Sequence, residues 1–337
     1  MKRRFRLLPI LVGVAGLLFA ACGDDESADA AAGDDAKPTV VVTTNILGDV
    51  VESFAGNEID VITIMPVGAD PHDFQPSAQQ ANEMRQADAL VVNGAGFEDG
   101  LQDVIDAATD DGVPTYEAIA AIDTIDFSEN DHDHDDHADE DEVHADADHA
   151  DEDHDDHDHD GEDPHFFTDP TRVALSVDGM TEFLIETVDG IDAEALRVAA
   201  DAAIDDLEAL DTDVEALLAG IPEERRVLVT NHEVFGYFAD RYDFELVGTV
   251  IPGGSTTDGA SAGALADLAD LIEDEGVPAI FADTSSSNEL ADTLASEVGD
   301  IAVVELFSES LGDADSDGAT YLDMVRANAQ RIADALA

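Results

Sequence analysis

The sequence is short of cysteine and of positive charge. Its 337 residues include 1 cysteine, no tryptophan and 13 lysines and arginines, against 81 aspartates and glutamates. A single cysteine excludes a disulfide framework and any metal site built on several thiolates. The formal charge of -68 excludes a nucleic-acid partner, because phosphate binding needs clustered lysine and arginine. Cations are the natural counterpart of such a chain, although a strongly solvated acidic surface explains most of this charge without any partner.

The N-terminus has the pattern of an export signal. MKRRFR is followed by LLPILVGVAGLLFA, an apolar run that is too short to span a bilayer comfortably. The run leads to Cys22 in LFAAC, which resembles the bacterial lipobox. We therefore expect residues 1–22 to be a lipoprotein signal peptide and Cys22 to carry a lipid anchor, with an ordinary cleaved signal as the alternative. Residues 23–37 lack apolar side chains to bury and indicate a flexible acidic tether.

Strand-like and helix-like segments alternate from Pro38 onward. TVVVTTN, IDVITIM and ADALVVNG have the composition of buried strands, and amphipathic segments lie between them. Apolar strands separated by helices predict a parallel sheet that is covered on both faces. The alternation restarts at Arg226, after a long helical segment over 193–219 without internal glycine or proline. The sequence thus predicts an α/β protein of two lobes, in which each lobe is a parallel sheet flanked by helices and one long rigid helix joins the lobes. The predicted boundaries are 38–190 for the N-terminal lobe, 191–220 for the linking helix and 221–337 for the C-terminal lobe.

A tract at 123–162, made mostly of aspartate, glutamate, histidine and alanine, interrupts the first lobe. It offers almost nothing to a hydrophobic core, so we expect a disordered loop. Imidazoles scattered in a dense negative field should hold divalent cations loosely and raise their local concentration. The alternative is a solvating insertion without a metal role. Eight of the 11 histidines lie in this tract and are predicted auxiliary metal ligands: His132, His134, His137, His144, His149, His154, His157 and His159.

The other histidines are His72, His165 and His232, in GADPHDFQPS, DPHFFTDP and TNHEVFGYF. Each falls in a loop at the end of a predicted strand or before a helix, where functional residues concentrate. Three neutral imidazoles and one carboxylate complete a tetrahedral zinc site. Carboxylates beside these histidines could accept the second ring N–H of a ligand and fix its orientation, and the sequence does not decide among Asp70, Asp163, Asp169 and Glu233.

These motifs resemble those of the zinc- and manganese-specific solute-binding lipoproteins of ABC importers. The resemblance covers nearly the whole mature chain and implies that His72, His165 and His232 are metal ligands. It also implies a fourth ligand at Glu309, in LFSESLGDADSDGATYLDMVRANAQRI, where family members more often have aspartate. Members that import zinc commonly carry a histidine- and acid-rich loop just before the second motif, as this chain does. The implied protein is an extracytoplasmic, membrane-anchored and monomeric receptor that passes its metal ion to a membrane permease.

The identity of the ion depends on His232. Three imidazoles with one carboxylate favour Zn²⁺, whereas fewer nitrogen ligands would suit Mn²⁺, so we expect zinc and keep a manganese receptor as the alternative. An exported zinc hydrolase is a further alternative, because three histidines with an open fourth position are what a catalytic zinc needs. A ligand at Glu309 would close that position. No HExxH, GxSxG constellation or P-loop supports catalysis, and no sequence feature favours a surface adhesin over transport.

Overall fold

Two parallel sheets covered by helices form the part of the chain that the structure, a computed structural model, describes. This part comprises residues 37–127, 161–257, 259–299 and 301–337. Cys22 with the predicted signal and tether, and the eight histidines of the acidic tract, lie outside the described residues. The strands are β1 (Thr39–Val42), β2 (Asp60–Thr63), β3 (Ala89–Val92), β4 (Thr115–Glu117), β5 (Val227–Thr230), β6 (Glu245–Thr249), β7 (Ala279–Asp283) and β8 (Ala302–Leu306).

Both sheets have the same topology. The strand order is β2-β1-β3-β4 in the first sheet and β6-β5-β7-β8 in the second, and neighbouring strands in both sheets are parallel. In each sheet, the first strand in sequence lies inside and is flanked by its second and third strands. The loops that follow the inner strands therefore leave the same edge of the sheet, which is where ligand sites form in open parallel α/β sheets.

Six of the nine helices in the described residues start after a side chain that accepts a free N–H group of the first turn. Ser77 forms a capping box with Gln80, and the Asp169 carboxylate accepts the N–H of Thr171 at the helix that starts with Pro170. The helices are α1 (Asn45–Ala55), α2 (Ala78–Gln86), α3 (Gln102–Asp110), α4 (Pro170–Thr187), α5 (Ala193–Leu218), α6 (Gly236–Tyr242), α7 (Ala262–Glu275), α8 (Glu289–Val298) and α9 (Tyr321–Leu336).

The long helix α5 packs into a core that both sheets share. It has 26 residues, which corresponds to a length of about 39 Å. Its apolar stripe, which includes Leu196, Leu207 and Val214, is buried in the same cluster as Val40 of the first sheet and Leu228 of the second. Two smaller clusters cover the other faces of the two sheets. The helix therefore contributes side chains to the interior between the lobes.

The predicted architecture of two parallel α/β lobes joined by one long helix is confirmed. The closing helix α9 begins at Tyr321, because Thr320 is its N-cap and its side chain accepts the N–H of Asp323. The ends of the predicted disordered tract are structured: Asp126 and Glu162 form an antiparallel bridge, and the Thr124 hydroxyl donates to Glu162 at 2.8 Å. Within the described ranges, no helix is both long enough and apolar enough to cross a membrane.

Candidate metal centre

The fold brings together four side chains that are far apart in sequence. His72 lies in the loop after β2, and His165 lies just before α4. His232 follows β5 by two residues, and Glu309 follows β8 by three. Three of these positions are therefore at the carboxyl ends of strands, which is the edge where parallel sheets place their sites. His72 and His165 come from the first lobe, and His232 and Glu309 come from the second.

One carboxylate oxygen is the centre of the cluster. Glu309 Oε1 lies 2.8 Å from Nε2 of His72, 3.5 Å from Nε2 of His165 and 3.1 Å from Nε2 of His232. One ligand atom from each of the four residues lies within 4.8 Å of all the others. His72 is 5% exposed, and the other three residues are 0% exposed. The arrangement is a closed, dry set of three imidazole nitrogens and one carboxylate.

Apart from their contacts with Oε1 of Glu309, several ligand atoms of this cluster lack a hydrogen-bond partner among the described residues. They are Nε2 of His72, Nε2 of His165 and Oε2 of Glu309, all of them buried. Buried polar atoms almost always have a partner, because leaving one without it costs about 1–3 kcal/mol. Unpartnered lone pairs that converge on one point are what a cation would satisfy, so the chemistry of the cluster fits a metal ion.

Asp163 fixes the tautomer of His165. Its Oδ1 accepts the backbone N–H of His165 at 2.9 Å and lies 2.7 Å from the ring Nδ1. An ionised carboxylate only accepts hydrogen bonds, so Nδ1 carries a proton, and Nε2 is the ring nitrogen that faces Glu309. Burial lowers the pKa of His165, but the Asp163 and Glu309 carboxylates outweigh burial and raise the pKa to about 9. In the absence of a cation, His165 is therefore protonated at neutral pH.

The charge on Glu309 is stabilised by the histidines around it. Burial raises the pKa of Glu309, and the nearby His232 and His72 together with a hydrogen bond from His165 lower the pKa well below its usual value. A second buried carboxylate, Asp283, ends β7 between the strands that lead to His232 and Glu309. Burial and then the Glu309 charge raise the pKa of Asp283 to about 6. The C-terminal half of the cluster therefore holds two closely placed acids, of which only Glu309 belongs to the converging set.

Phe97 and two polar side chains form the wall behind the first two histidines. The Phe97 ring meets His72 and His165 edge to face, with centroids 5.3 and 5.4 Å away. The Asn93 amide donates to the carbonyl of Pro164, next to His165, at 2.9 Å. Glu98 is buried and accepts the N–H of Asn93 at 2.6 Å and the Thr43 hydroxyl at 2.5 Å. Asn93 and Glu98 thus hold the loop that carries His165, and neither was predicted from the sequence.

The four carboxylates beside the histidine motifs have different roles. Asp163 contacts a ring nitrogen of the histidine in its own motif. Asp70 accepts the backbone N–H of His72 at 3.0 Å, and Asp169 is the N-cap of α4. The backbone N–H of Glu233 donates to the carbonyl of Gly253 at 3.1 Å. The carboxylates of Asp70, Asp163 and Asp169 therefore shape the loops that carry the histidines.

Residues 40–335 match the model of the family described as "Zinc-uptake complex component A periplasmic". The match covers almost all of the described chain and every residue of the cluster. The chain belongs to this family. It is a family of metal-binding, substrate-binding proteins of ABC transporters and not of enzymes, so the exported hydrolase is excluded. The position of Glu309 agrees with this conclusion, because its carboxylate lies among the three histidines, where a catalytic zinc would need an open position.

Some relatives of this chain are named for zinc and others for manganese, and both kinds are similar to it over more than nine tenths of their length. The zinc-binding protein TroA of Treponema pallidum is 30% identical over 316 residues, which is 92% of each chain. The manganese-binding lipoprotein MntA of Halalkalibacterium halodurans is 26% identical over 326 residues, 97% of each chain. The solved structure of the periplasmic zinc-binding protein TroA superimposes with a TM-score of 0.75 at 28% identity, covering 89% of this chain and 99% of that one. The names of these relatives do not decide between the two ions.

Proposed function

We propose that this protein is an extracytoplasmic receptor that binds Zn²⁺ between its two lobes and delivers it to the permease of an ABC importer. The ligands are His72, His165, His232 and Glu309. The convergence of their four donor atoms in a buried cluster, with no competing partner for several of those atoms, is the observation that carries the proposal. Because two ligands come from each lobe, the ion joins the lobes, and separation of the lobes removes half of its ligands.

The donor set and its spacing support zinc. Imidazole nitrogen is a preferred ligand of Zn²⁺, while Mn²⁺ favours oxygen donors, and this site offers three nitrogens and one carboxylate. A tetrahedron with metal–ligand distances of about 2.0–2.1 Å places its ligand atoms about 3.3 Å apart. The three distances from Glu309 Oε1, between 2.8 and 3.5 Å, lie on either side of this value. The four ligand atoms lie within 4.8 Å of one another, so side-chain shifts that bring the nitrogens closer together would accommodate the ion.

A manganese receptor is the second candidate. Oε2 of Glu309 has no hydrogen-bond partner among the described residues, so the carboxylate is free to bind through both oxygens. Two-oxygen binding would raise the coordination number to five and enlarge the site, which suits a harder and larger ion. The manganese-binding relative MntA also matches this chain over 97% of its length.

Calorimetric titration of protein stripped with a chelator distinguishes the two ions. We expect one tightly bound Zn²⁺ per chain in the folded lobes and weaker binding of Mn²⁺, measured at the same pH and ionic strength. Tighter Mn²⁺ than Zn²⁺ binding would assign the protein to manganese. Absence of binding of either ion at the cluster would contradict the receptor function altogether.

The remaining parts of the proposal concern the segments around the lobes. We expect the lipid on Cys22 to hold a monomeric receptor at the outer face of the membrane, and the histidines of the acidic tract to gather ions near the cleft. Replacing Cys22 with alanine should release the protein from the membrane fraction. Deleting residues 128–160 should lower the number of weakly bound zinc ions and leave the single tight site, because the paired ends at Asp126 and Glu162 remain. An unchanged stoichiometry would contradict the gathering role.

The packing of the long helix α5 against both sheets should restrict how far the two lobes can separate. Because the apolar stripe of α5 is buried in the core shared by both sheets, a wide hinge motion would expose apolar surface. We therefore expect ion release to require small shifts of the lobes or of loops at the cleft. Free and loaded crystal forms that differ by a large rigid-body rotation would contradict this expectation.

A further inference from the structure

A short loop of the C-terminal lobe crosses to the first lobe beside the metal ligands. This bridging loop, residues 253–257, follows β6. Its base is held by the N–H of Glu233, the residue after His232, which donates to the Gly253 carbonyl at 3.1 Å. Within the loop, the hydroxyls of Ser255 and Thr257 share a hydrogen bond of 2.8 Å. The bridging loop is therefore attached next to one ligand histidine before it reaches the other two.

Thr256 connects the bridging loop to the loop of His72. Its hydroxyl donates to Oδ2 of Asp70 at 2.6 Å, across a sequence separation of 186 residues. The other oxygen of the same carboxylate, Oδ1, accepts the backbone N–H of His72 at 3.0 Å. One carboxylate thus links a hydroxyl of the second lobe to the backbone of a ligand from the first lobe. Hydrogen bonds to an ionised acceptor are stronger than neutral ones.

A second contact of the bridging loop lies beside His165. The Phe127 ring occupies the space where a Cβ at residue 254 would lie, so any larger residue there would have to displace the ring. On its other side, Phe127 meets the His165 ring at an angle of 64°, with centroids 6.2 Å apart. Gly254 therefore lets the loop rest on the aromatic ring that covers His165. The two contacts place the loop against the neighbours of both ligands that the first lobe contributes.

The bridging loop also forms part of the way into the site. A cavity of about 740 Å³ has His72 in its wall, together with Phe127, Gly254, Ser255 and Thr257. An ion that reaches His72 from this cavity passes between the bridging loop and the first lobe. Any change that frees the loop from Asp70 widens this passage and loosens the backbone of His72 at the same time.

We propose that Thr256 is a positioning residue whose bond to Asp70 fixes the His72 loop and slows exchange of the bound ion. This inference rests on the proposed function, because it assumes that the cluster holds the ion. Opening the Thr256 to Asp70 bond then releases the constraint on one ligand without removing any ligand from the site. The rate of dissociation should respond more than the coordination of the bound ion.

The test is the dissociation rate of Zn²⁺ into an excess of a fluorescent chelator, measured by stopped flow with full-length protein. Thr256→Val removes the hydroxyl with little change in size, and dissociation should become about tenfold faster, the effect of one hydrogen bond. Thr256→Ser keeps the hydroxyl and should stay near the wild-type rate. Thr257→Val is the matched control, because its hydroxyl bonds within the loop and not across the cleft.

Hydrogen exchange of the metal-free protein gives a readout that does not depend on metal. Thr256→Val should accelerate exchange in a peptide that contains His72, whereas Thr257→Val should not. Unchanged dissociation and unchanged exchange in Thr256→Val, in a wild-type background that binds one Zn²⁺, would overturn this proposal and leave the receptor function intact. If the wild-type protein binds no zinc or manganese at the cluster, the proposed function fails and this proposal fails with it.

Discussion

Replacing Asp163 with asparagine removes a negative charge from behind His165 with little change in side-chain size. Asp163 is 2% exposed, so its interaction with the imidazole is only weakly screened by solvent. It accepts two hydrogen bonds from the same histidine, at 2.7 and 2.9 Å. Loss of such a partner behind a metal-ligating histidine typically reduces metal affinity about 10- to 100-fold, or about 1.4–2.7 kcal/mol. We expect Asp163→Asn to weaken zinc binding within this range.

The same substitution should change the number of protons released on binding. Asp163 is the main group that raises the pKa of His165 to about 9, so wild-type protein should release close to one proton from His165 at pH 7.5, and Asp163→Asn should release less. Titration calorimetry in buffers of different ionisation enthalpy measures affinity and proton release together. Asp240→Asn is the control, since Asp240 is 60% exposed and pairs with Arg172. Equal affinity and proton release in wild type and Asp163→Asn would refute the role of Asp163.

Three further predictions test the site and the effect of the ion on the fold. Glu309→Gln should lower zinc affinity more than roughly hundredfold, the upper value for loss of a residue that only supports a ligand, because it removes the charge of a direct ligand. Calorimetry on variant protein with a native circular dichroism spectrum measures this effect, and an affinity near that of the wild type would contradict the prediction. Zinc affinity, measured by chelator competition, should rise from pH 6.5 towards about 9, because the proton on His165 competes with the ion, and an affinity that does not change with pH in this window would contradict the assignment. In metal-free protein, the raised pKa of His165 stabilises the fold fully below the unfolded value of about 6.5, and this contribution is lost as pH passes through about 9. Zinc in thousandfold excess over its Kd should stabilise the fold by about 4.1 kcal/mol in thermal unfolding, and an unchanged Tm would show that the ion does not bind the native state selectively.

Most of the fold could be predicted because its strands and helices have distinct patterns. The inner strands β1, β3 and β5 are almost continuous apolar runs, as expected where helices cover both faces of a sheet. The absence of glycine and proline within α5 indicated one long helix. The boundaries depended on single capping side chains. Thr320, for example, moves the start of α9 to Tyr321.

The histidines of the cluster were recognisable because each stands alone in a loop with a motif of its own. Glu309 was different, because nothing in its composition or spacing separates it from the many other acidic residues, and only the family resemblance indicated it. The sequence offered Asp163 among several candidate partners of the histidines, but the other residues around the cluster could not be predicted, since their roles depend on contacts between distant parts of the chain. Thr256 reaches Asp70 over 186 positions, and Phe127 lies in a tract whose composition predicts disorder.

Anomalous scattering at the zinc edge, from crystals grown without added metal or chelator, is the most direct test of the central claim. The account predicts one strong peak within coordinating distance of Nε2 of His72, His165 and His232 and of the Glu309 carboxylate. A peak that appears only at the manganese edge would change the ion and keep the site. Density for an ion elsewhere, with these four side chains hydrogen-bonded among themselves and no metal between them, would contradict the account.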